Sequence, residues 1–338
     1  MKRFFALLCA LALTGCAARK NYDLLAMKGQ EKSYHPAMPQ GELLPFSQTV
    51  KNENGLFAIL NPEKRKFLSV GFAALALEPG SIYRFTLRAV GREGLEIAAF
   101  LSEFEKENLR YDRNLLRATL FLNVNGVTTF QKDFAVSPGS DRAIPCITFF
   151  SRNGAMNPGC IALLKTLSIE KIGEMKKLPA GTPKTDLAKR YDFNRFPAGD
   201  FTLIHKGNGP DAVKWRDIRA EIVDLKGEGK ALHIVRHTGD YVYPYLLLDD
   251  FPVDPTGHYV KVTFEAKGRG AFRTGIWWKR RHLEWDYENA PLCRLTGQWQ
   301  TFTVYRPCLT PDVIAPTLAF NSGGEGEYFI RNLHVTLE

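Results

Sequence analysis

The chain has 338 residues, 45% of them apolar and 24% charged, with a formal net charge of +9. That length exceeds what one hydrophobic core organises and favours two domains, and the composition is globular rather than disordered or fibrous. Beyond the first fifteen residues no apolar run approaches the ~20 residues that a bilayer-spanning helix needs, which excludes an integral helical membrane protein.

At the N-terminus, Lys2 and Arg3 precede an apolar run from Phe4 to Leu13, too short to span a bilayer but suited to the apolar centre of a secretory signal. The junction that follows, Leu13-Thr14-Gly15-Cys16, resembles the lipobox of bacterial lipoproteins. The resemblance implies cleavage before Cys16, diacylation of its thiol and acylation of the new amino terminus. Ordinary signal cleavage at a small-residue site is the alternative. Residues 1–15 are thus expected to be a signal peptide, and the protein to sit in the bacterial cell envelope on a lipid anchor. Ala17 is not the Asp that commonly retains such proteins at an inner membrane, so the outer membrane is the expected address. Nucleic acid is not expected as a partner of an exported chain. The basic excess, reduced by two when Lys2 and Arg3 leave, suits anionic headgroups or acidic polysaccharide, or serves solubility alone.

Residues 16–45 are polar and carry Pro36, Pro39 and Pro45 with no sustained period, which predicts a tether. A first domain is expected over 46–173, a linker punctuated by Pro179, Gly181 and Pro183 over 174–189, and a second domain over 190–338. The two halves repeat one another. Glu78-Pro79-Gly80 leads into the alternating run Tyr83 to Ala89 as Asp254-Pro255-Thr256-Gly257 leads into Val260 to Ala266. Phe134-Ala135-Val136 matches Phe302-Thr303-Val304, and Ile144 to Phe149 matches Ala315 to Phe320. Closing strands are predicted over Leu163 to Ile169 and Phe329 to Leu337. Short alternating segments between Gly, Pro and Asn turns predict an all-β protein of two tandem sandwiches. The exception is Glu103 to Arg117, polar enough to predict a helix or loop inserted only in the first domain.

Four cysteines remain beyond Cys9 and Cys16. Cys146 and Cys160 flank the turn-like Ser151-Arg152-Asn153-Gly154, so a hairpin could oppose them in a disulfide; Cys293 and Cys308 are a second candidate pair, without a turn midway. Neither spacing is that of a zinc site.

In the second half, Gly297-Gln298-Trp299-Gln300-Thr301-Phe302-Thr303-Val304, Pro316-Thr317-Leu318-Ala319-Phe320 and Gly326 to Val335 resemble the end of a jelly-roll carbohydrate-binding module. The resemblance covers residues 190–338, is clearest in the last forty, and is much weaker over 46–173. It implies the galactose-binding-like fold for both domains, with Trp299 and Phe302 anchoring strands in the core. It also brings in a structural calcium ion that some such modules hold. Arg331 stands where many carry Asp, and a guanidinium cannot ligate a cation, so no cofactor is expected.

All five Trp lie in the second half, at 215, 277, 278, 285 and 299. Sugars present apolar C–H faces that stack on aromatic rings and hydroxyls that pair with planar polar groups. Two segments carry that chemistry. Tyr241, Tyr243 and Tyr245 share one face of a strand, with Val242 and Leu246 on the other; Trp277, Trp278, Arg280, His282, Glu284, Trp285 and Tyr287 interleave rings with charges. One of Trp277 and Trp278 must face inwards, core packing is the alternative for each ring, and residues 279–282 could be a hairpin tip. The expected glycan contacts are Tyr241, Tyr243, Trp277, Arg280, His282, Glu284, Trp285 and Tyr287. His233 and His237 are too far apart on a strand to share a metal. No nucleophile elbow, Walker loop, dinucleotide fingerprint or zincin helix is present. The function expected is non-catalytic glycan binding by a lipid-anchored envelope protein. The alternatives are a structural module docking an envelope protein and, further off, a glycoside hydrolase using Glu284 and Asp286.

Overall fold

The structure, a computed structural model, describes residues 21–26, 50–53, 56–61, 67–91, 95–106, 108–120, 127–151, 159–206, 218–236, 244–280, 285–288, 292–321 and 326–338. These residues form two tandem all-β sandwiches of jelly-roll type, with no α-helix among them.

The first sandwich comprises β1 (Asn21–Asp23), β2 (Val50–Glu53), β3 (Leu56–Asn61), β4 (Phe67–Gly71), β5 (Ser81–Gly91), β6 (Leu95–Glu105), β7 (Asn108–Leu120), β8 (Thr128–Ala135), β9 (Arg142–Ser151) and β10 (Gly159–Glu174). One sheet runs β2-β3-β10-β5-β8, with β1 added on β10; the other runs β4-β9-β6-β7. Strand β5 shows why: Tyr83, Phe85, Leu87 and Ala89 are buried while Ile82, Arg84, Thr86 and Arg88 are only half-buried, the period of two that a sheet with one covered face imposes. Each large apolar side chain so buried contributes roughly 1.5–3 kcal/mol. Its start is set by the Pro79-Gly80 turn, in which Gly80 takes a φ of 79° and the Ser81 N–H donates to the Glu78 carbonyl at 3.1 Å.

The second sandwich comprises β11 (Gly199–Asp200), β12 (His205–Lys206), β13 (Ile218–Leu225), β14 (Gly229–Arg236), β15 (Pro244–Leu247), β16 (Tyr259–Arg269), β17 (Ala271–Arg280), β18 (Trp285–Glu288), β19 (Leu292–Arg294), β20 (Gln300–Pro307), β21 (Val313–Asn321) and β22 (Gly326–Leu337). Its sheets run β11-β13-β14-β22-β16-β20 and β12-β15-β21-β17-β18, with β19 also on β17. The repeat read in the sequence is a repeat of topology. In the first sandwich β10-β5-β8 are neighbours, in the second β22-β16-β20, and β4-β9-β6-β7 corresponds to β15-β21-β17-β18.

That correspondence corrects the expectation for Glu103 to Arg117. The segment is neither helix nor insertion; it is the β6–β7 hairpin, the counterpart of β17–β18. Its polarity misled because Glu103 and Arg113, both essentially buried, pair with each other and with Ser137, whose N–H donates to Glu103 Oε1 at 3.2 Å and whose hydroxyl accepts from Arg113 at 2.9 Å. The start of the expected tether also differs: β1 pairs with β10, and Leu24 and Leu25 are buried in the first core.

Neither expected disulfide is found among the described residues. Cys146, Cys293 and Cys308 are buried thiols. Chain proximity failed as a guide because consecutive strands here change sheets. Cys146 in β9 pairs with Gly71 and Phe100, whereas β10, which contains Cys160, belongs to the facing sheet. Cys293 pairs with Phe272 in one sheet of the second sandwich, and Cys308 follows β20 of the other. Between the sandwiches, the Tyr259 hydroxyl donates to the Val136 carbonyl, and Lys176 N–H donates to the Gly257 carbonyl at 2.7 Å. Leu187 and Ala188, at the end of the expected linker, are buried in the second core.

Candidate functional site

Adjacent residues of a strand point to opposite faces, so the Trp277-Trp278 pair must divide between core and surface. Trp278 goes inwards, 1% exposed, beside Phe272, Ile276 and Leu318; Trp277 goes outwards and is half-buried. Strand β21 divides the same way: Leu318 and Phe320 face the core, while Thr317 and Ala319 face out opposite Trp277 and Gly275. In β15, Leu246 is buried in the core and half-buried Tyr245 lies on the outer face, opposite Ala319. The outward positions of this sheet therefore carry a strip of small residues between Tyr245 and Trp277, and Gly275, Ala315, Thr317 and Ala319 are themselves buried beside the larger side chains. Two more aromatic positions join the edge: residue 287 pairs with Trp277 and residue 285 with Lys279. Exposed Lys279 and Arg294 occupy outward positions of β17 and β19.

The outer face of the facing sheet is built differently. The β13–β14 hairpin, closed through Lys226-Gly227-Glu228, pairs Glu221 with His233. His233 lies between carboxylates, Nδ1 3.1 Å from Glu221 Oε1 and Nε2 2.9 Å from Glu327 Oε1, and stacks on Phe329 with ring centroids 4.4 Å apart. Glu221 also accepts from Arg219 at 2.6 Å. Hydrogen bonds from His233, and then from Arg219, hold the Glu221 carboxyl below the ordinary carboxylate range. Further along, Arg331 donates to Glu265 at 2.7 Å and to the Glu228 carbonyl at 2.7 Å, and its guanidinium lies 4.0 Å from the Trp299 ring centroid. Lys267 and the Trp299 indole N–H both donate to Glu228. The Glu265 carboxyl is lowered by Arg331 and Asn332, and that of Glu228 by Lys267 and Trp299.

These contacts revise one expectation. Trp299 is not in the core; it is half-buried on the outer face, capped by cations, and only Phe302, stacked on Phe264, joins the core. Arg331 fills the position tied to calcium in the resemblance by giving its charge to Glu265 and to a backbone carbonyl. Among the described residues no cluster of three or more His, Cys, Asp and Glu is arranged to hold a metal.

Of the expected glycan contacts, Trp277 stands on the outer face of the β15-β21-β17 sheet. Arg280, Trp285 and Tyr287 are placed by their backbones in β17 and β18. Tyr241, Tyr243, His282, Glu284, the expected lipidation site Cys16 and His237 lie outside the described residues. The charge network of Glu221, His233, Glu327 and Arg331 was missed in the sequence. A hairpin centred on Gly227 would have put Glu221 opposite His233.

No family model matches the chain, and no curated protein is significantly similar to it. Among solved structures, the tandem CBM22-1–CBM22-2 domain of Xyn10C from Paenibacillus barcinonensis is similar over 92% of this chain and 98% of its own, at 10% identity and a TM-score of 0.29. The CBM22-1 xylan-binding domain of the same protein matches over 47% and 97%, at 10% identity and 0.33. The family 11 carbohydrate-binding module of Lic26A-Cel5E from Clostridium thermocellum matches over 46% and 96%, at 14% identity and 0.31. Likenesses this distant carry no argument about ligand or activity.

Proposed function

We propose that the second sandwich binds glycan non-covalently on the outer face of the β12-β15-β21-β17-β18 sheet, within a chain held at the bacterial envelope by lipid on Cys16. The observation that carries this reading is the orientation of Trp277. A half-buried indole stands beside a strip of small residues and across from Tyr245, while its neighbour Trp278 already serves the core. The small residues beside it are buried, so the half-buried rings of Trp277 and Tyr245 are what the apolar face of a sugar ring would stack on. Arg280, His282 and Glu284, at and beyond the end of β17, would supply directional hydrogen bonds to hydroxyls, and Tyr241, Tyr243, Trp285 and Tyr287 further stacking. The lipid anchor rests on Leu13-Thr14-Gly15-Cys16.

The test is intrinsic Trp fluorescence of the whole chain titrated with a panel of neutral and acidic polysaccharides, since all five Trp report from this domain. A saturable shift, lost in a Trp277→Ala variant that stays folded, is expected. A flat response across the panel from folded protein overturns the reading and leaves the face to a protein partner.

A further inference from the structure

At the described outward positions of the proposed glycan face the charges are of one sign. Along β17, positions 271, 273, 275, 277 and 279 alternate outwards from the core residues Phe272, Ile276 and Trp278. They include Arg273 and Lys279, and Arg294 joins them on β19 opposite Ala271. No outward position of β12, β15, β17, β18, β19 or β21 among the described residues carries a carboxylate. The two acids of β18 fall on the other parity: Asp286 pairs with Trp278 and Glu288 with Ile276. Lys279 and Arg294 are exposed and make no ion pair among the described residues.

This is not what the net charge alone would scatter over a surface. On the facing sheet every cation named above has a carboxylate at hydrogen-bond distance: Arg219 with Glu221, Lys267 with Glu228, Arg331 with Glu265. The cations of the glycan face also sit at both ends of the aromatic strip. From position 271 to position 279 a strand advances ~27 Å, longer than any single sugar ring.

We propose that the ligand is an anionic linear polysaccharide, bearing carboxylate or sulfate groups, that lies along β17. Its rings would stack near Trp277 and its charged groups would meet Arg294 at one end and Lys279 at the other. Guanidinium forks and ammonium groups recognise both anions, and no carboxylate stands at a described outward position to compete with them. This inference rests on the reading of that face as the glycan site.

The whole chain is titrated, by Trp fluorescence, with polygalacturonate, dextran sulfate, neutral xylan and dextran. At least one anionic polymer is expected to bind tenfold or more tightly than either neutral one. The double variant Lys279→Gln with Arg294→Gln is expected to weaken it at least fivefold at an unchanged unfolding midpoint. The control Lys177→Gln with Lys226→Gln, which removes the same charge from exposed positions elsewhere, leaves binding unchanged. Equal weakening by the control pair overturns the inference, since net charge would then suffice. Equal or tighter binding of neutral polymers, lost in Trp277→Ala, overturns it while sustaining the glycan reading. No binding by any of the four polymers overturns both.

Discussion

The two outer faces of the second sandwich solve the problem of surface charge in opposite ways. On the β13-β14-β22-β16 face, four carboxylates at 221, 228, 265 and 327 are met by Arg219, His233, Lys267 and Arg331, and the ring of Trp299 is capped by Arg331 and Lys267. Its donors and acceptors satisfy one another, so a ligand would have to break contacts already made. On the β15-β21-β17 face, cations stand without acids at the described outward positions and aromatic rings border small residues. Aromatic content alone does not mark a site, because Trp299 and Phe329 lie on the closed face. What distinguishes the open one is unanswered charge beside a half-exposed ring.

The largest expected effect lies in two neighbouring tryptophans. Trp278→Ala removes a core side chain and is expected to cost about 3–5 kcal/mol of stability in chemical denaturation, whereas Trp277→Ala is expected to cost far less and to abolish ligand binding. Equal destabilisation by both would dissolve the division between core and surface on which the comparison depends. Next in size is Arg331→Met. It leaves Glu265 without its guanidinium and uncaps Trp299, so a loss of about 1–3 kcal/mol is expected, together with a shift in Trp emission. Binding of polysaccharide is expected to stay unchanged, which separates the closed face from the open one.

Much of this was legible in the sequence because β-structure writes its period into the chain. The alternation of Tyr83 to Ala89 and of Val260 to Ala266, each behind a Pro and Gly turn, gave two like sandwiches, and the parity of Tyr245-Leu246 set one wall of the candidate site. Three things were not legible. The β6–β7 hairpin was hidden by charge, since Glu103 and Arg113 each look solvated until they are seen to neutralise one another inside the sandwich. The cysteine pairs were misread because sequence distance says nothing about which sheet a strand joins. Trp299 was placed in the core because a lone Trp beside strand residues has no parity of its own; it precedes β20, whose inward position is Phe302, opposite Phe264.

The smallest expected effect tests whether charge is settled on one face only. The carboxyls of Glu221 and Glu265 are held below the ordinary range by His233 with Arg219, and by Arg331 with Asn332. A carboxyl lowered in the folded state contributes stability that is fully present above its unfolded value and is lost as pH falls through the folded one. Stability of the second sandwich, followed through its Trp emission, is therefore expected to decline on acidification below the ordinary carboxylate range, by a few tenths to about 1 kcal/mol for each partly exposed pair. Glu265→Gln is expected to lower stability at neutral pH and to make that acid decline shallower, because one titrating group no longer differs between the folded and unfolded chains. Lys279→Gln, on the face whose described outward positions carry no acid, is expected to leave the slope as it was. If Lys279→Gln flattened the decline as much as Glu265→Gln, the cation would have a carboxylate partner after all, and the open face would be closed in the same manner as its opposite.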